Sequence, residues 1–303
     1  MKFLAVCLLV PVFGFAVCSG QNSSNVREDL NYAGDTMVYH RLDIHLPDTG
    51  NPPYPAVVVI YGSAFFGNNL KGAAFQVMGE PLLKGGFAVI PVNHRSSRDA
   101  LFPAQVHDIK AAVRYIRANG SRFGIDTTFI GITGYSSGGH LAAFTGTSGS
   151  VDIMSVNSRT LDIEGDVGAF DTFDSSVDAV VDWFGPTDFL KMDSCGSSMV
   201  HDAADSPESS LLGGPVQENR DLCALANPAT YADATDPPFL ILHGDADPLV
   251  PHCQSEALYQ TLQDAGVPSR FILVPGAGHG RGLFQEKYFG EMTRFFQEEF
   301  SKK

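Results

Sequence analysis

A serine between two glycines is the part of this sequence that most clearly indicates chemistry. The segment is Gly134-Tyr135-Ser136-Ser137-Gly138, which follows a β-rich run and precedes a helix of small residues. Because glycines two positions away on each side relieve crowding around Cβ, such a serine can occupy a very tight strand-to-helix turn. The N–H groups at the start of the helix would favour a negatively charged oxygen beside the hydroxyl. The pattern predicts a nucleophilic serine above the end of a sheet.

A serine hydroxyl is a poor nucleophile at neutral pH and needs a base that a third group orients. His279 is our candidate base, because it lies in a glycine-rich turn directly after a predicted strand. Asp245 and Asp247 both follow another predicted strand. We predict Asp247 as the acid, since Asp245 is nearer the strand end and is expected to hold its turn through backbone hydrogen bonds. The chain order serine, aspartate, histidine is that of α/β hydrolases.

Stabilising an oxyanion requires two backbone N–H donors near the nucleophile. One is expected from Ser137, which directly follows Ser136. The other is expected from the loop 61–67, where small residues follow an early buried strand. We assign this second donor to Ser63, with Ala64 as the next candidate, while an ordinary glycine-containing turn is the alternative interpretation of the loop.

The other histidines indicate less. His140, in the helix behind the serine, is expected to pack in that helix, and His243 is expected to support the turn that carries the acid. His201 and His252 are given no role. Because no histidine pair has the helical spacing with a glutamate that zinc enzymes use, the sequence predicts no metal site and no cofactor.

The elements that must position these side chains alternate between strands and helices. Residues 37–47 alternate like a half-solvated antiparallel strand, whereas continuous β-branched runs predict strands buried on both faces. Those runs are 56–61, 87–92, 129–133, 177–184, 239–242 and 271–274. Helical periodicity is found at 104–118, 256–265 and 284–300. The alternation predicts an α/β fold with a doubly wound, mostly parallel sheet flanked by helices.

Two stretches interrupt this alternation. Residues 191–233 are rich in Ser, Asp, Gly and Pro and show no strand pattern, which predicts a small lid-like excursion over the mouth of the site. Residues 148–176 are loop-rich and acidic. Long excursions from such sheets usually lie at the carboxyl edge, where ligands bind. We treat 37–303 as one domain that contains the excursion.

The N-terminus differs in kind from the rest of the chain. Residues 3–18 are uncharged and apolar, follow Lys2, and lead into small and then polar residues. This pattern predicts a secretory signal peptide over 1–20 and a polar tether over 21–36, with a periplasmic or extracellular protein as the result. A retained anchor helix and a lipid attached to Cys18 are the alternatives. Apart from that segment, we expect no membrane span.

Charge and cysteine content limit the partners. The formal net charge is −14, which argues against binding to nucleic acid and disfavours a highly anionic substrate. Three cysteines follow the predicted signal peptide, which permits one disulfide and one free thiol. Cys195 and Cys223 are the expected pair, since both lie in the irregular stretch, and Cys253 is expected to be a small buried hydrophobic residue.

Several segments together resemble the carboxylesterase branch of the α/β hydrolases, most nearly the secreted bacterial feruloyl and acetylxylan esterases. The segments are 61–68, 102–108, 134–142, 183–188 and 243–247. The resemblance implies Ser136 as nucleophile, Asp247 as acid, His279 as base, and Ser63 and Ser137 as oxyanion donors. The loop departs from the family in one place, because Tyr61-Gly62-Ser63 stands where the family usually has His-Gly-Gly.

These observations favour a secreted serine hydrolase that cleaves carboxylic esters, and the resemblance implies acetyl or feruloyl groups on plant polysaccharide as substrates. A feruloyl group would need an aromatic slot, for which Phe65, Phe66, Trp183 and Phe184 are available, although these four could equally be core. Two alternatives remain: a peptidase related to the prolyl oligopeptidases, and an inactive hydrolase fold that serves as a binding protein.

Overall fold

The computed structural model describes residues 25–303. In chain order the elements are β1 (Val26–Asn31), β2 (Arg41–His45), β3 (Tyr54–Ile60), α1 (Lys71–Lys84), β4 (Ala88–Val92), α2 (Ala104–Asn119), β5 (Ile125–Tyr135), α3 (Ser137–Thr147), β6 (Ile153–Val156), β7 (Arg159–Asp162), β8 (Ala179–Trp183), α4 (Pro207–Leu212), α5 (Arg220–Ala226), β9 (Phe239–Gly244), α6 (Cys253–Asp264), β10 (Ser269–Val274) and α7 (Glu286–Phe300). Short 3₁₀ turns connect several of them.

The main sheet has eight strands in the order β1-β2-β4-β3-β5-β8-β9-β10. The pairs from β4 through β10 are all parallel, whereas β1 and β2 add an antiparallel edge. Parallel strands need crossover connections, and helices supply them here. The predicted doubly wound, mostly parallel sheet is therefore confirmed, and its arrangement is that of the α/β-hydrolase fold.

Strand β3 shows why these runs of apolar residues form the centre of the sheet. Its side chains alternate between two cores: Val57 and Val59 belong to the core that also contains residues of α1 and α7, while Val58 and Ile60 belong to the core that contains residues of α2, α3 and α6. All four residues are fully buried. A strand covered by helices on both faces has no polar side, which explains its continuous apolar sequence.

The first strand differs from what the sequence predicts. The polar tether expected over 21–36 is wrong for Val26–Asn31, which forms β1 and pairs antiparallel with β2. Its exposed, charged side chains hide the strand pattern because an edge strand is buried only in part. The strand expected over 37–47 begins as a 3₁₀ turn and becomes β2 at Arg41. The predicted signal peptide lies outside the described residues.

Other elements also escape the sequence pattern. Helix α1 was not predicted, and the loop-rich stretch 148–176 contains the hairpin formed by β6 and β7. The excursion 191–233 has no strand and consists of α4, α5 and 3₁₀ turns. No helix within residues 25–303 combines the length and the apolar character of a membrane span.

The cysteine pairing differs from the expected one. Cys195, at the start of the excursion, is bonded to Cys253, the first residue of α6, and Cys223 is the buried free thiol. Cys223 lies on α5 with its Sγ 3.3 Å from the carbonyl oxygen of Val216. The prediction failed because both of the expected partners were chosen for their position in one irregular stretch, whereas the bond joins that stretch to the main domain.

The disulfide closes a loop of 58 residues, so its removal is expected to lower the free energy of unfolding by about 3–4 kcal/mol. Urea denaturation of Cys195→Ser, Cys253→Ser and the double variant measures this loss. Since a single bond is removed in every case, all three variants should lose the same amount. Losses that add up in the double variant would contradict the pairing.

Candidate active site

Ser136 lies at the turn between β5 and α3. Its backbone has φ 55° and ψ −127°, a conformation that residues with a side chain rarely adopt. The flanking glycines make this turn possible: a methyl group on Gly134 would collide with the backbone of Gly138, and one on Gly138 would collide with the carbonyl of Ile60. The N–H of Ser136 donates to the carbonyl of Trp183 on β8 at 2.9 Å. The turn is thus fixed between two neighbouring strands.

His279 reaches this turn from the loop after β10. Its Nε2 lies 2.9 Å from the Oγ of Ser136, and its Nδ1 lies 2.8 Å from an oxygen of Asp247. Because a carboxylate only accepts hydrogen bonds, the ring hydrogen is placed on Nδ1, and Nε2 is left to accept the serine hydroxyl. The ring of Phe184 stands edge-on to the imidazole at a centroid distance of 4.7 Å.

Asp247 is held by donors on both of its oxygens. Oδ1 accepts the N–H groups of Leu249 at 2.9 Å and Val250 at 3.0 Å, while Oδ2 faces His279 and lies 3.4 Å from Nε2 of His243. Burial alone would raise the pKa of this carboxyl, but the hydrogen bonds from the two histidines and the backbone hold it well below its usual value. Asp247 is therefore ionised at neutral pH.

Asp245, the alternative acid, lies elsewhere. Its Oδ1 accepts the N–H of Gly276 at 2.6 Å, which ties the loop after β9 to the loop after β10. The bonds to the backbone of its own turn, which we expected for Asp245, are made by Asp247. His243 occupies the supporting position: its Nδ1 meets the hydroxyl of Ser255 at 2.7 Å and its Nε2 the carbonyl of Val250 at 2.8 Å.

The loop between β3 and α1 runs beside the serine. Ala64 and Phe65 both have positive φ, at 50° and 63°. The N–H of Ser63 donates to the Oγ of Ser137 at 2.9 Å, whereas the N–H of Ala64 has no acceptor within residues 25–303. Of the two N–H groups that the sequence suggested as donors from this loop, that of Ala64 is thus the one without an acceptor among the described residues. Tyr61, in the place of the family's histidine, is buried and donates from its hydroxyl to the carbonyl of Gly67 at 3.2 Å.

Two titratable groups are enclosed behind the turn. Nδ1 of His140 lies 2.8 Å from the carbonyl of Pro186, and burial lowers the pKa of the ring to about 4, so the imidazole is neutral. It stacks on Phe189, in agreement with the predicted packing role. Asp182 on β8 accepts one N–H, that of Gly185 at 3.0 Å, and its other oxygen has no partner within the described residues. Burial raises the pKa of Asp182 to about 7.

A cavity of about 330 Å³ opens over Ser136 and His279. Its wall is formed by the loop between β3 and α1, the turn at Ser136 (the elbow), the loops after β8, β9 and β10, and the excursion. The excursion contributes Met199, His201, Pro207 and Glu208, none of which the sequence pattern assigned to the site. No helix or strand pattern in the sequence indicated them, because the excursion folds into short helices and turns whose placement depends on contacts with the rest of the domain.

The four aromatic residues considered for a feruloyl slot divide into two groups. Phe65 and Phe184 line the cavity, although each is only 1% exposed. Trp183 is fully buried in the core that also contains α1 and α7, and Phe66 does not line the cavity. Phe284, which follows the loop of His279, also lines the cavity.

Comparison with known proteins adds the following. The BD-FAE family model matches residues 42–262. Esterase LipQ of Mycobacterium tuberculosis is 29% identical over 230 residues, which are 76% of this chain and 51% of that protein. The chain spans about half the length of the curated relatives it matches.

Two solved structures are more similar. A truncated form of a carbohydrate esterase from gut microbiota is 48% identical with a TM-score of 0.88, over 91% of this chain and 96% of that one. A bifunctional GH43-CE protein of Bacteroides eggerthii is 50% identical with a TM-score of 0.87, over 91% of this chain and 38% of that one. The likeness therefore extends over most of the chain.

We expect the raised pKa of Asp182 to appear in the pH dependence of stability. The unfolded chain loses this proton near pH 4 and the folded chain near pH 7, so the wild type loses stability as pH rises through this window. Because an asparagine does not titrate in this range, this loss of stability is absent from Asp182→Asn. The stability of the variant relative to the wild type should therefore increase by about 4 kcal/mol between pH 4 and 7 and then level off.

Urea denaturation across this pH range measures the difference. Asp171→Asn, which removes a negative charge from an exposed site, is the matched control and should show no such slope. A constant difference between Asp182→Asn and the wild type would contradict a proton on buried Asp182.

Proposed function

Because the chain belongs to the BD-FAE family, we propose that it hydrolyses carboxylic esters with Ser136 as nucleophile, His279 as base and Asp247 as the orienting acid. The observation that carries this proposal is the hydrogen-bonded series from Asp247 through His279 to Ser136, with distances of 2.8 and 2.9 Å. These three residues come from three separate loops, and a structural role for the strained serine turn alone would not require the other two.

The geometry supports the following sequence of steps. Nε2 of His279 takes the proton of Ser136 as Oγ attacks the ester carbonyl, and the Nδ1–H remains hydrogen-bonded to Asp247. The ionised carboxylate then stabilises the imidazolium. The same imidazolium gives its proton to the leaving alcohol, which releases the alcohol and leaves an acyl group on Ser136. A water molecule, deprotonated by His279, attacks this acyl-enzyme. The carboxylic acid product leaves, and the proton returns from His279 to Ser136.

The oxyanion formed in both steps needs fixed N–H donors. We assign them to Ser137, the first residue of α3, and to Ala64, whose N–H has no acceptor within residues 25–303. Ser63, our first choice from the sequence, becomes a positioning residue in this proposal. Its N–H is held by the hydroxyl of Ser137, which fastens the loop to the elbow.

The natural substrates we propose are acetyl or feruloyl esters of plant polysaccharide. The support is the resemblance to secreted bacterial esterases and the 48% identity to a carbohydrate esterase from gut microbiota. In this proposal the cavity of about 330 Å³ receives the acyl group, and Phe284, which is only partly buried, offers apolar surface to an aromatic one. The net charge of −14 disfavours highly anionic esters.

We further propose that the protein is exported. The apolar segment near the N-terminus supports this, and so does the disulfide between Cys195 and Cys253, since such bonds persist in oxidising compartments.

The acid is tested by paired substitutions. Asp247→Asn is expected to lower kcat by about 10⁴-fold, because an asparagine does not hold the Nδ1–H tautomer of His279 or stabilise the imidazolium. Asp245→Asn makes the same chemical change two residues away, where the carboxylate binds Gly276, and should keep most of the activity. Steady-state kinetics with p-nitrophenyl acetate compare the two. If Asp245→Asn were the inactive variant, the assignment of the acid would be wrong.

The nucleophile and the substrate class are tested together. Wild-type protein should react with a fluorophosphonate probe and release acetate or ferulate from defined xylo-oligosaccharide esters, whereas Ser136→Ala should do neither, with a loss of about 10⁶-fold in kcat. Aminoacyl p-nitroanilides serve as the comparison. Cleavage of these anilides in preference to esters would indicate a peptidase, and a folded wild type that neither reacts nor hydrolyses would indicate a binding protein.

A further inference from the structure

The excursion 191–233 brings a buried histidine and a buried glutamate to the wall of the cavity. His201 and Glu208 are 2% and 3% exposed, yet both line the space above Ser136. Nδ1 of His201 lies 2.8 Å from Oε2 of Glu208. The catalytic steps proposed above use neither residue, so this polar pair in a mostly apolar wall requires its own explanation.

The histidine is fixed on every side. Its Nε2 lies 3.0 Å from the carbonyl oxygen of Leu249 and 3.0 Å from the hydroxyl of Ser197, and its backbone N–H donates to Asp193 at 2.7 Å. A carbonyl only accepts, so Nε2 carries a hydrogen. Burial disfavours a charge on the ring, but the hydrogen bond with Glu208 outweighs it and raises the pKa of His201. Both ring nitrogens of His201 are therefore already hydrogen-bonded, and neither is left to bind a molecule in the cavity.

The glutamate is fixed on one side only. Its Oε2 is used by His201, whereas Oε1 accepts no hydrogen bond within residues 25–303. Oε1 is also absent from the enclosed polar atoms that lack a partner, so a small group can reach it, and the cavity is the space that Glu208 lines. A carboxylate oxygen in an apolar wall favours a hydrogen-bond donor on the bound molecule.

The charge of the pair indicates which kind of donor. His201 and Glu208 share one hydrogen bond and together carry no net charge when the ring is protonated. The imidazolium offsets part of the attraction that the carboxylate would have for a cationic donor, whereas a neutral hydroxyl still gains a charge-assisted hydrogen bond. The pair thus favours a hydroxyl over a charged amine.

We propose that Glu208 is a specificity-determining residue whose Oε1 accepts a hydrogen bond from a hydroxyl group of the bound ester. This inference rests on the proposed function, since it concerns the substrate of the same site. The hydroxyl can belong to the sugar on the alcohol side or to the phenol of an aromatic acyl group. Both present the same chemistry to Glu208.

The test is Glu208→Gln, which keeps the shape of the side chain. The amide oxygen can still accept from His201, and the NH₂ group then faces the cavity, so an acceptor is replaced by a donor. Two substrate pairs separate the sources of the hydroxyl. Acetylated xylobiose and p-nitrophenyl acetate differ in the sugar, and methyl ferulate and methyl 3,4-dimethoxycinnamate differ in the phenolic hydroxyl.

The expected result is a loss of kcat/KM that is at least about tenfold greater for the hydroxyl-bearing member of one pair than for its partner. If the larger loss occurs in the first pair, the hydroxyl belongs to the sugar. If it occurs in the second pair, the hydroxyl is the phenol. Glu218→Gln, an exposed glutamate of the same excursion, is the matched control and should resemble the wild type with all four substrates.

Equal losses for both members of both pairs would overturn the proposal while leaving the esterase function intact, because the wild type would still hydrolyse p-nitrophenyl acetate. If Glu208→Gln fails to fold, the wild type supplies the test alone. Its kcat/KM must then favour methyl ferulate over methyl 3,4-dimethoxycinnamate, or acetylated xylobiose over an analogue that lacks the free sugar hydroxyls, by about tenfold or more, and the absence of both preferences overturns the proposal. A wild type inactive toward every ester would instead refute the proposed function.

Discussion

The backbone turn at Ser136 is the constraint on which the rest of the site depends. A residue with a side chain is held there at φ 55°, at a cost of about 1–3 kcal/mol that the surrounding packing offsets. The packing is close: a methyl group on Gly134 would collide with the backbone of Gly138, and one on Gly138 would collide with that of Ile60 on β3. The turn at Ser136 therefore packs closely against β3, the strand that leads into the loop containing Ala64. The N–H of Ser63 in that loop donates to the hydroxyl of Ser137, so one arrangement fixes both the hydroxyl of Ser136 and the loop beside it.

Much of this arrangement follows from the sequence because parallel strands end at the same edge of a sheet. Ser136, Asp247 and His279 each follow a β-branched run, and runs of this kind are easily recognised. Residues without such a pattern could not be placed. The edge strand β1 looks polar because solvent covers most of it, and the excursion 191–233 has no period at all. Its partners are decided by tertiary contacts, so the bond from Cys195 to Cys253 had no signal in spacing or composition.

The excursion and the loop that carries the acid form one connected unit. The N–H of Ser198 donates to the carbonyl of Pro248 at 2.8 Å, and His201 reaches the carbonyl of Leu249. The N–H of that same Leu249 donates to Asp247. The cavity wall is thus joined by backbone hydrogen bonds to the residue that orients the imidazole. Because the disulfide fastens the beginning of the excursion as well, movement of the wall away from the site would break contacts on both sides.

The charge of each acid in this region is decided by the number of hydrogen-bond donors around it and not by burial alone. Asp247 meets two backbone N–H groups and two histidines and stays ionised, whereas Asp182, with a single N–H, keeps its proton up to about pH 7. His140 is neutral, and His201 balances Glu208. In slightly acidic solution, where Asp182 keeps its proton, Asp247 is the unbalanced charge among these groups. That charge lies on the far side of the imidazole from Ser136. In the mechanism we propose, it stabilises the imidazolium from there without opposing the negative oxygen that forms beside Ser136.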